Sequence, residues 1–476
     1  MLGNYKISGL RKKRVGLFDF RDSVNGLIDG HIAKNTMSEV TYNYNFTDGA
    51  LKDGIGVEDL CIYVNGANRY PILPEGCNPQ KAFFYHRFDE GTSRPDDRLL
   101  VFCDDGSVYQ WQIYSDNRQM TVVDGLPAES GGMAVNYRLN SEDCFLVCGE
   151  DKLYVYNGFT VKAYDGPGIT SMAVYNERLF VTVRDNPTQL WYSKTFDPTN
   201  WNVSLEEAGF IDFRNDQGRL IKVVSLNGYL YVFGTYSISR VSAYGDQTQM
   251  TAETLYLNSG RIIDGSICLC GNRIVYLAED GFYSFDGSTS HRILKELDRF
   301  MASSSHGDVA TAYYNGCLYA AVRLKMGDLQ DKCIVVYKMT SGDFYVASEI
   351  PAMDLAVVDG DGFSKLVIIT DNVYTLGQIN QSGRYYGKVL EKLWRSPQRD
   401  FEVEGLKSVQ RISLFTKSDV TVKISSELGE KTVTFKGSKY RQQRLVGVTG
   451  TSFRVEIFSK APDQEVSKVL LEVLYF

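Results

Sequence analysis

The sequence predicts an all-β protein organised around a β-propeller of about six to seven blades. Three observations carry that expectation: a recurring strand–turn–strand unit, turn residues of hairpin type within each copy, and a composition suited to short strands. Copies of the unit begin near Ala82, Met133, Met172, Lys222, Gly265, Val309 and Met353. Their spacing of about 40–50 residues matches a four-stranded blade. The clearest copies read "MAVYNERLFVTVRDNPTQLWYS", "KVVSLNGYLYVFGTYSISRVS" and "GSICLCGNRIVYLAEDGFYSFDG". Asn227-Gly228, Asn315-Gly316 and Gly271-Asn272 lie between alternating apolar runs. Two-residue hairpins there demand positive φ, which Asn and Gly supply most cheaply. Thirty-one Tyr, 25 Phe and 43 Gly against 11 Pro suit pleated, half-buried strands joined by tight turns.

A single blade cannot cover its own apolar faces, so the copies must stack into a ring or solenoid. Period-two alternation without long helical stretches excludes the helical solenoids. The expected organisation is an extended N-terminal segment over 1–78, the propeller over 79–390 and an antiparallel β-sandwich over 391–476. The first segment is rich in Asn, Asp and Gly and alternates weakly. Part of it is expected to add a strand to the first or last blade, or to meet neighbouring subunits. Its basic run Arg11-Lys12-Lys13-Arg14 reads as a solvated arm, or as one that docks on an acidic neighbour or nucleic acid. From Trp394 onward six to eight closely spaced strands lack the blade period and carry more Lys and Arg.

The formal charge is −7 over 476 residues. General nucleic-acid binders grip phosphates with a basic face, so DNA could be surrounded by this chain without being held. The N-terminus shows no secretory signal, and no run approaches the ~18 apolar residues of a membrane helix. The expected place of synthesis is therefore a cytoplasm. Nine cysteines, mostly within apolar runs, read as buried free thiols. The Cys144/Cys148 and Cys268/Cys270 pairs have no second ligand pair at zinc spacing, and His31, His86, His291 and His306 are dispersed. No metal site and no cofactor are expected.

No nucleophile elbow, zinc-protease, Walker or kinase signature occurs, so no catalytic residues are assigned. Asp96-Asp97, Asp104-Asp105 and Asp359/Asp361 could hold calcium or act as a glycosidase carboxylate pair. All three fall where hairpins are expected, which is the reading preferred. Trp191, Tyr192 and Trp201 in "TQLWYSKTFDPTNW" are candidates for a sugar-stacking platform, against the plainer reading of an aromatic cap on one blade.

Three stretches carry a family resemblance. "NTMSEVTYNYNFTDGALKDGIG", with its Asp48-Gly49-Ala50-Leu51-Lys52 turn, resembles the N-terminal stretch of propeller proteins from tailed-bacteriophage virions, the tail tubular protein B-like nozzle type. "NERLFVTVRDNPTQLWYSKTFDPTNW" is similar to a blade of that family through Arg178-Leu179-Phe180, Leu190-Trp191-Tyr192-Ser193, Asp197-Pro198 and Trp201. "GTSFRVEIFS" resembles the closing strands of its terminal β-domain, whereas Asp53 stands where the pattern commonly has a basic residue. The resemblance implies a non-enzymatic virion tail protein assembled in the host cytoplasm. It would form a homo-oligomeric ring of six copies below the portal and adaptor, with distal tail proteins beneath, and DNA would pass through without specific binding. Two alternatives are a glycan- or receptor-binding tail propeller and a propeller-fold hydrolase.

Overall fold

The computed structural model describes residues 11–475 apart from 18–19, 21–37, 47–48, 128–132, 206, 214–217, 244–248, 302–308, 328, 372 and 403. Asp48 of the turn motif, His31 and His306 lie outside the described residues.

The protein is all-β, and its centre is a closed ring of seven blades. The innermost strands are Pro79–Tyr85, Ala134–Leu139, Ile169–Tyr175, Leu220–Leu226, Cys268–Cys270, Ala310–Tyr314 and Ala352–Gly360. Each falls within a few residues of a repeat start read from the sequence. Blades 1 to 6 are four-stranded antiparallel sheets in sequence order.

The second strand of a blade explains how the ring closes. Such strands are buried on both sides, as in Arg98–Cys103, because successive side chains point to opposite faces and serve different inter-blade cores. Phe145 packs toward blade 1 and its neighbour Leu146 toward blade 3. Leu179 and Phe180 divide likewise between blades 2 and 4, and Val232 and Phe233 between blades 3 and 5. Val275 and Leu318 join blades 5 and 6, Ala321 and Ile368 join 6 and 7, and Val367 and Leu99 join 7 to 1. Polar ties near the ring axis add to this packing. Lys222 Nζ donates to the Ile267 carbonyl at 2.8 Å, and Asp354 accepts the Ala82 amide at 3.0 Å.

The hairpin turns have the expected backbone. Asn227 and Gly228 lie at φ 50° and 76°, Asn315 and Gly316 at 47° and 75°. These values bring positive φ to both central residues, as the twist of a two-residue hairpin requires.

Blade 7 is completed from the far end of the chain. Gly56–Asp59 pairs antiparallel with Gly377–Asn380 and supplies the strand beyond it. At Gly56 a Cβ would overlap the Arg384 carbonyl, so only glycine permits that approach.

Leu60, Ile62, Val64 and Cys77 join the core between blades 7 and 1, whereas the described strands before Ile55 belong to the sandwich. One sheet contains Tyr44–Asn45, Leu51–Asp53, Glu465–Tyr475, Lys407–Thr416 and Ser438–Gly450, with Arg11–Leu17 also paired to Glu465–Tyr475. The other contains Val40–Tyr42, Lys392–Arg395, Phe453–Ser459, Val420–Ser426 and Gly429–Phe435. Val15, Phe20, Tyr44 and Leu51 enter the same core as Trp394, Ile412 and Leu471. The 1–78 segment is thus shared between the two bodies. The basic run is a strand whose Lys12 meets Glu472 at 2.9 Å and whose Lys13 meets Glu402 at 3.1 Å. An acidic neighbour within the chain takes up this part of the arm.

Where the chain crosses between bodies, Asn43 is fully buried at φ 59°. Its amide nitrogen donates to Ser348 Oγ at 2.9 Å and the Glu391 carbonyl at 2.7 Å, while its amide oxygen accepts the Ser348 N–H at 2.8 Å. Beside it, Lys392 Nζ lies 3.0 Å from Asp53 and donates to the Ala461 carbonyl at 2.8 Å. Burial pushes the Asp53 carboxyl above the usual range, and the Lys392 charge offsets this only in part. Because the raised value lies in the folded state, Asp53 favours folding most at acid pH. Its contribution diminishes as pH rises through the window between the unfolded and folded values.

Removing one partner of a buried pair strands the other charge, at a cost of about 3–5 kcal/mol. Asp53→Ala should therefore destabilise the protein by about that amount in urea unfolding, and the added change Lys392→Met should recover most of the loss.

Candidate functional site

The blade that carries the family resemblance folds around Arg178. Its Nη1 donates to the carbonyls of Ser193 at 2.7 Å and Glu207 at 2.6 Å, and its guanidinium lies 5.4 Å from the Tyr192 ring centroid. Ser193 Oγ accepts the Leu179 amide at 3.0 Å, and Asp197 accepts the Thr199 amide and hydroxyl at 3.0 and 2.7 Å. The motif residues therefore hold the long connection after Tyr192 against blade 3.

Trp191, Tyr192 and Trp201 do not share one platform. Trp191 stacks on Phe210 at 5.4 Å, donates Nε1 to Gln189 at 3.0 Å, and packs with Trp201 on the core between blades 2 and 3. Tyr192, the next residue along the strand, faces the other way into the core between blades 3 and 4. The acidic clusters divide as well. Asp105 caps the Ser107 amide at 2.9 Å in a turn, and Asp361 lies in the turn after Ala352–Gly360. Cys144 and Cys148 sit inside the blade 2–3 core, where burial pushes the Cys144 thiol up to about 12. Among the described residues no group of three or more His, Cys, Asp or Glu could hold a metal ion.

Asp96 and Asp97 do something that the sequence did not reveal. Asp96 lines an open cleft of about 840 Å³, where turns from blades 7, 1 and 2 meet the Ile62–Val64/Ala67–Arg69 hairpin, and Asp97 is buried beside it. Asp97 is fully buried and accepts the Arg87 amide at 3.1 Å, the Tyr114 hydroxyl at 2.9 Å and His86 Nδ1 at 2.8 Å. One oxygen of Asp96 pairs with both Arg87 and Arg98, the latter at 2.6 Å. Arg98 is 1% exposed and also donates to Gln110 at 2.8 Å, Tyr156 at 3.0 Å and the Gly158 carbonyl.

These two guanidiniums support an exposed aromatic ring. Phe159 is 71% exposed, with Arg87 and Arg98 at 4.7 and 5.5 Å from its centroid. Asn157 presents it by accepting the Phe159 and Thr160 amides at 3.1 and 2.9 Å. The sequence signal is a large apolar residue in an Asn-Gly-Phe-Thr turn, where hairpin chemistry favours polar side chains. Tyr63, 63% exposed, lines the same cleft. Arg94 does so too, and its guanidinium has no partner among the described residues.

No protein-family model and no curated protein matches the chain. Among solved structures it is similar to BBS1N in complex with ARL6DN, at 13% identity and TM-score 0.42 over 64% of this chain and 91% of that one. It is also similar to BamB from Moraxella catarrhalis, at 10% identity and TM-score 0.39 over 78% and 97%. A third is Raptor from Chaetomium thermophilum, at 11% identity and TM-score 0.45 over 72% and 29%. Likenesses this distant carry no functional argument, and the propeller assignment rests on the strand pairing above.

Gly158 has φ +93°, and a Cβ there would lie 3.0–3.2 Å from the Arg87 and Arg98 side chains. Gly158→Ala should cost about 1–3 kcal/mol in urea unfolding, as expected where a non-glycine residue is forced into the left-handed region.

Proposed function

We propose that this chain is a structural tail component of a bacteriophage virion, of the nozzle type, acting as a six-copy ring below the portal and adaptor. Its role is mechanical and requires no turnover. DNA passes through the ring toward distal tail proteins without being specifically bound, and the ring forms in the host cytoplasm before release.

The observation that carries this reading is the joining of two oppositely charged bodies into one unit. Residues 55–390 hold 28 basic and 41 acidic side chains, net −13, whereas 1–54 and 391–476 together hold 23 and 17, net +6. Copies that place the basic body of one against the acidic body of the next make a heterologous contact, and such contacts generate rings when the rotation closes. An acidic wall suits a passage for DNA, because attraction to phosphates would stall the polymer. The residues that carry the family resemblance fit as well. Leu51 and Gly56 occupy the crossing between the bodies, and Arg178 and Ser193 fasten a loop.

Light scattering and negative-stain imaging of the purified chain, alone and with its adaptor, test the proposal. Six-fold rings that weaken as salt is raised are expected. A particle that stays monomeric at every concentration and never joins a virion would overturn it.

A further inference from the structure

We propose that the cleft bounded by blades 7, 1 and 2 binds an acidic saccharide, with a pyranose ring stacked on Phe159 and its carboxylate on Arg94. This assignment goes beyond the structural role and does not depend on it.

The first argument is preorganisation. An aromatic side chain at a turn tip ordinarily samples several rotamers, and fixing it on binding costs affinity. Here one face of Phe159 already rests on two guanidiniums, at 4.7 and 5.5 Å. Those guanidiniums are themselves held by Asp96, Gln110, Tyr156 and backbone carbonyls. Only the outward face remains open, and it is offered without further ordering. A flat apolar ring of this kind matches the C–H face of a pyranose.

The second argument is the polar complement around the ring. Asn65 and Gln112 line the cleft with amides that both donate and accept, and Asp89 and Asp361 add acceptors. A mixed set of donors and acceptors suits vicinal hydroxyls. Arg94 adds a planar fork of donors that matches a carboxylate two-pronged. Its guanidinium has no partner among the described residues, whereas Arg87 and Arg98 are both committed to Asp96.

The third argument concerns charge. The surrounding propeller is net −13. A polyphosphate would meet strong repulsion there, whereas a single carboxylate placed on Arg94 would meet little.

The experiment is calorimetric titration of the full-length protein with a hyaluronan disaccharide and with sialyllactose, each carrying one carboxylate, neutral chitotetraose serving as control. Binding of an acidic probe is expected, weakened about tenfold or more by Phe159→Ala. Arg94→Ala should weaken the acidic probe selectively, Phe159→Trp should retain binding, and Trp191→Ala should leave it unchanged. Thermal unfolding should show that the Phe159 and Arg94 variants stay folded, because both side chains are exposed. Failure of both acidic probes to bind would overturn the proposal, as would binding indifferent to Phe159→Ala. Chitotetraose binding equally well, with no effect of Arg94→Ala, would overturn the acidic assignment.

Discussion

The architecture depends on one short crossing, in which a few N-terminal residues must satisfy two bodies at once. Tyr44 and Leu51 sit in the sandwich core, Ile55 in the core between blades 6 and 7, and Gly56–Asp59 completes blade 7. Between them Asn43 accepts a left-handed backbone, which Asn tolerates better than most residues. Its amide, held by Ser348 beyond blade 6 and the Glu391 carbonyl, can be satisfied only when propeller and sandwich are both in place. Asp53 and Lys392 impose the same condition through charge. A buried pair of this kind adds little net stability, but either partner left alone is costly. The constraint therefore selects one relative placement of the two bodies.

Completion of blade 7 follows from that crossing. A propeller whose last blade lacks an outer strand exposes unpaired backbone groups, and strand Gly56–Asp59 covers them. Every second strand is then buried on both faces, because each blade offers alternate side chains to its two neighbours. The lead-in thereby links residues that are over 300 positions apart in the chain.

Much of the propeller was legible. Seven repeat starts and their Asn-Gly turns follow from local chemistry, since a two-residue hairpin leaves few alternatives. The N-terminal strands were not legible, because Tyr44–Asn45 and Leu51–Asp53 are too short to display a period of two. Leu51–Asp53 exists through pairing with a partner some 400 residues away, Leu51 with Val466, and Tyr44–Asn45 pairs in turn with Leu51–Asp53. The arm at Arg11–Arg14 reads as solvated for the same reason, its acidic partners Glu402 and Glu472 being invisible locally. Trp191 and Tyr192 drew attention as a pair, yet strand alternation sends adjacent residues to opposite faces. The cleft is not legible in the sequence because Tyr63, Arg94 and Phe159 come from three separate turns. Asp53 pairs with Lys392 across the junction, a partner invisible from the local sequence.

The mechanical reading and the saccharide cleft draw on different parts of the molecule, the junction between bodies and one corner of the ring. Both need the propeller and sandwich to behave as a single unit, and native-state hydrogen exchange examines that claim most directly. The amides of Leu51–Asp53 in the sandwich and Gly56–Asp59 in blade 7 should open with one common free energy, and Asn43→Ala should lower both equally. Loss of protection in the sandwich strand alone, with blade 7 unchanged, would contradict a shared junction.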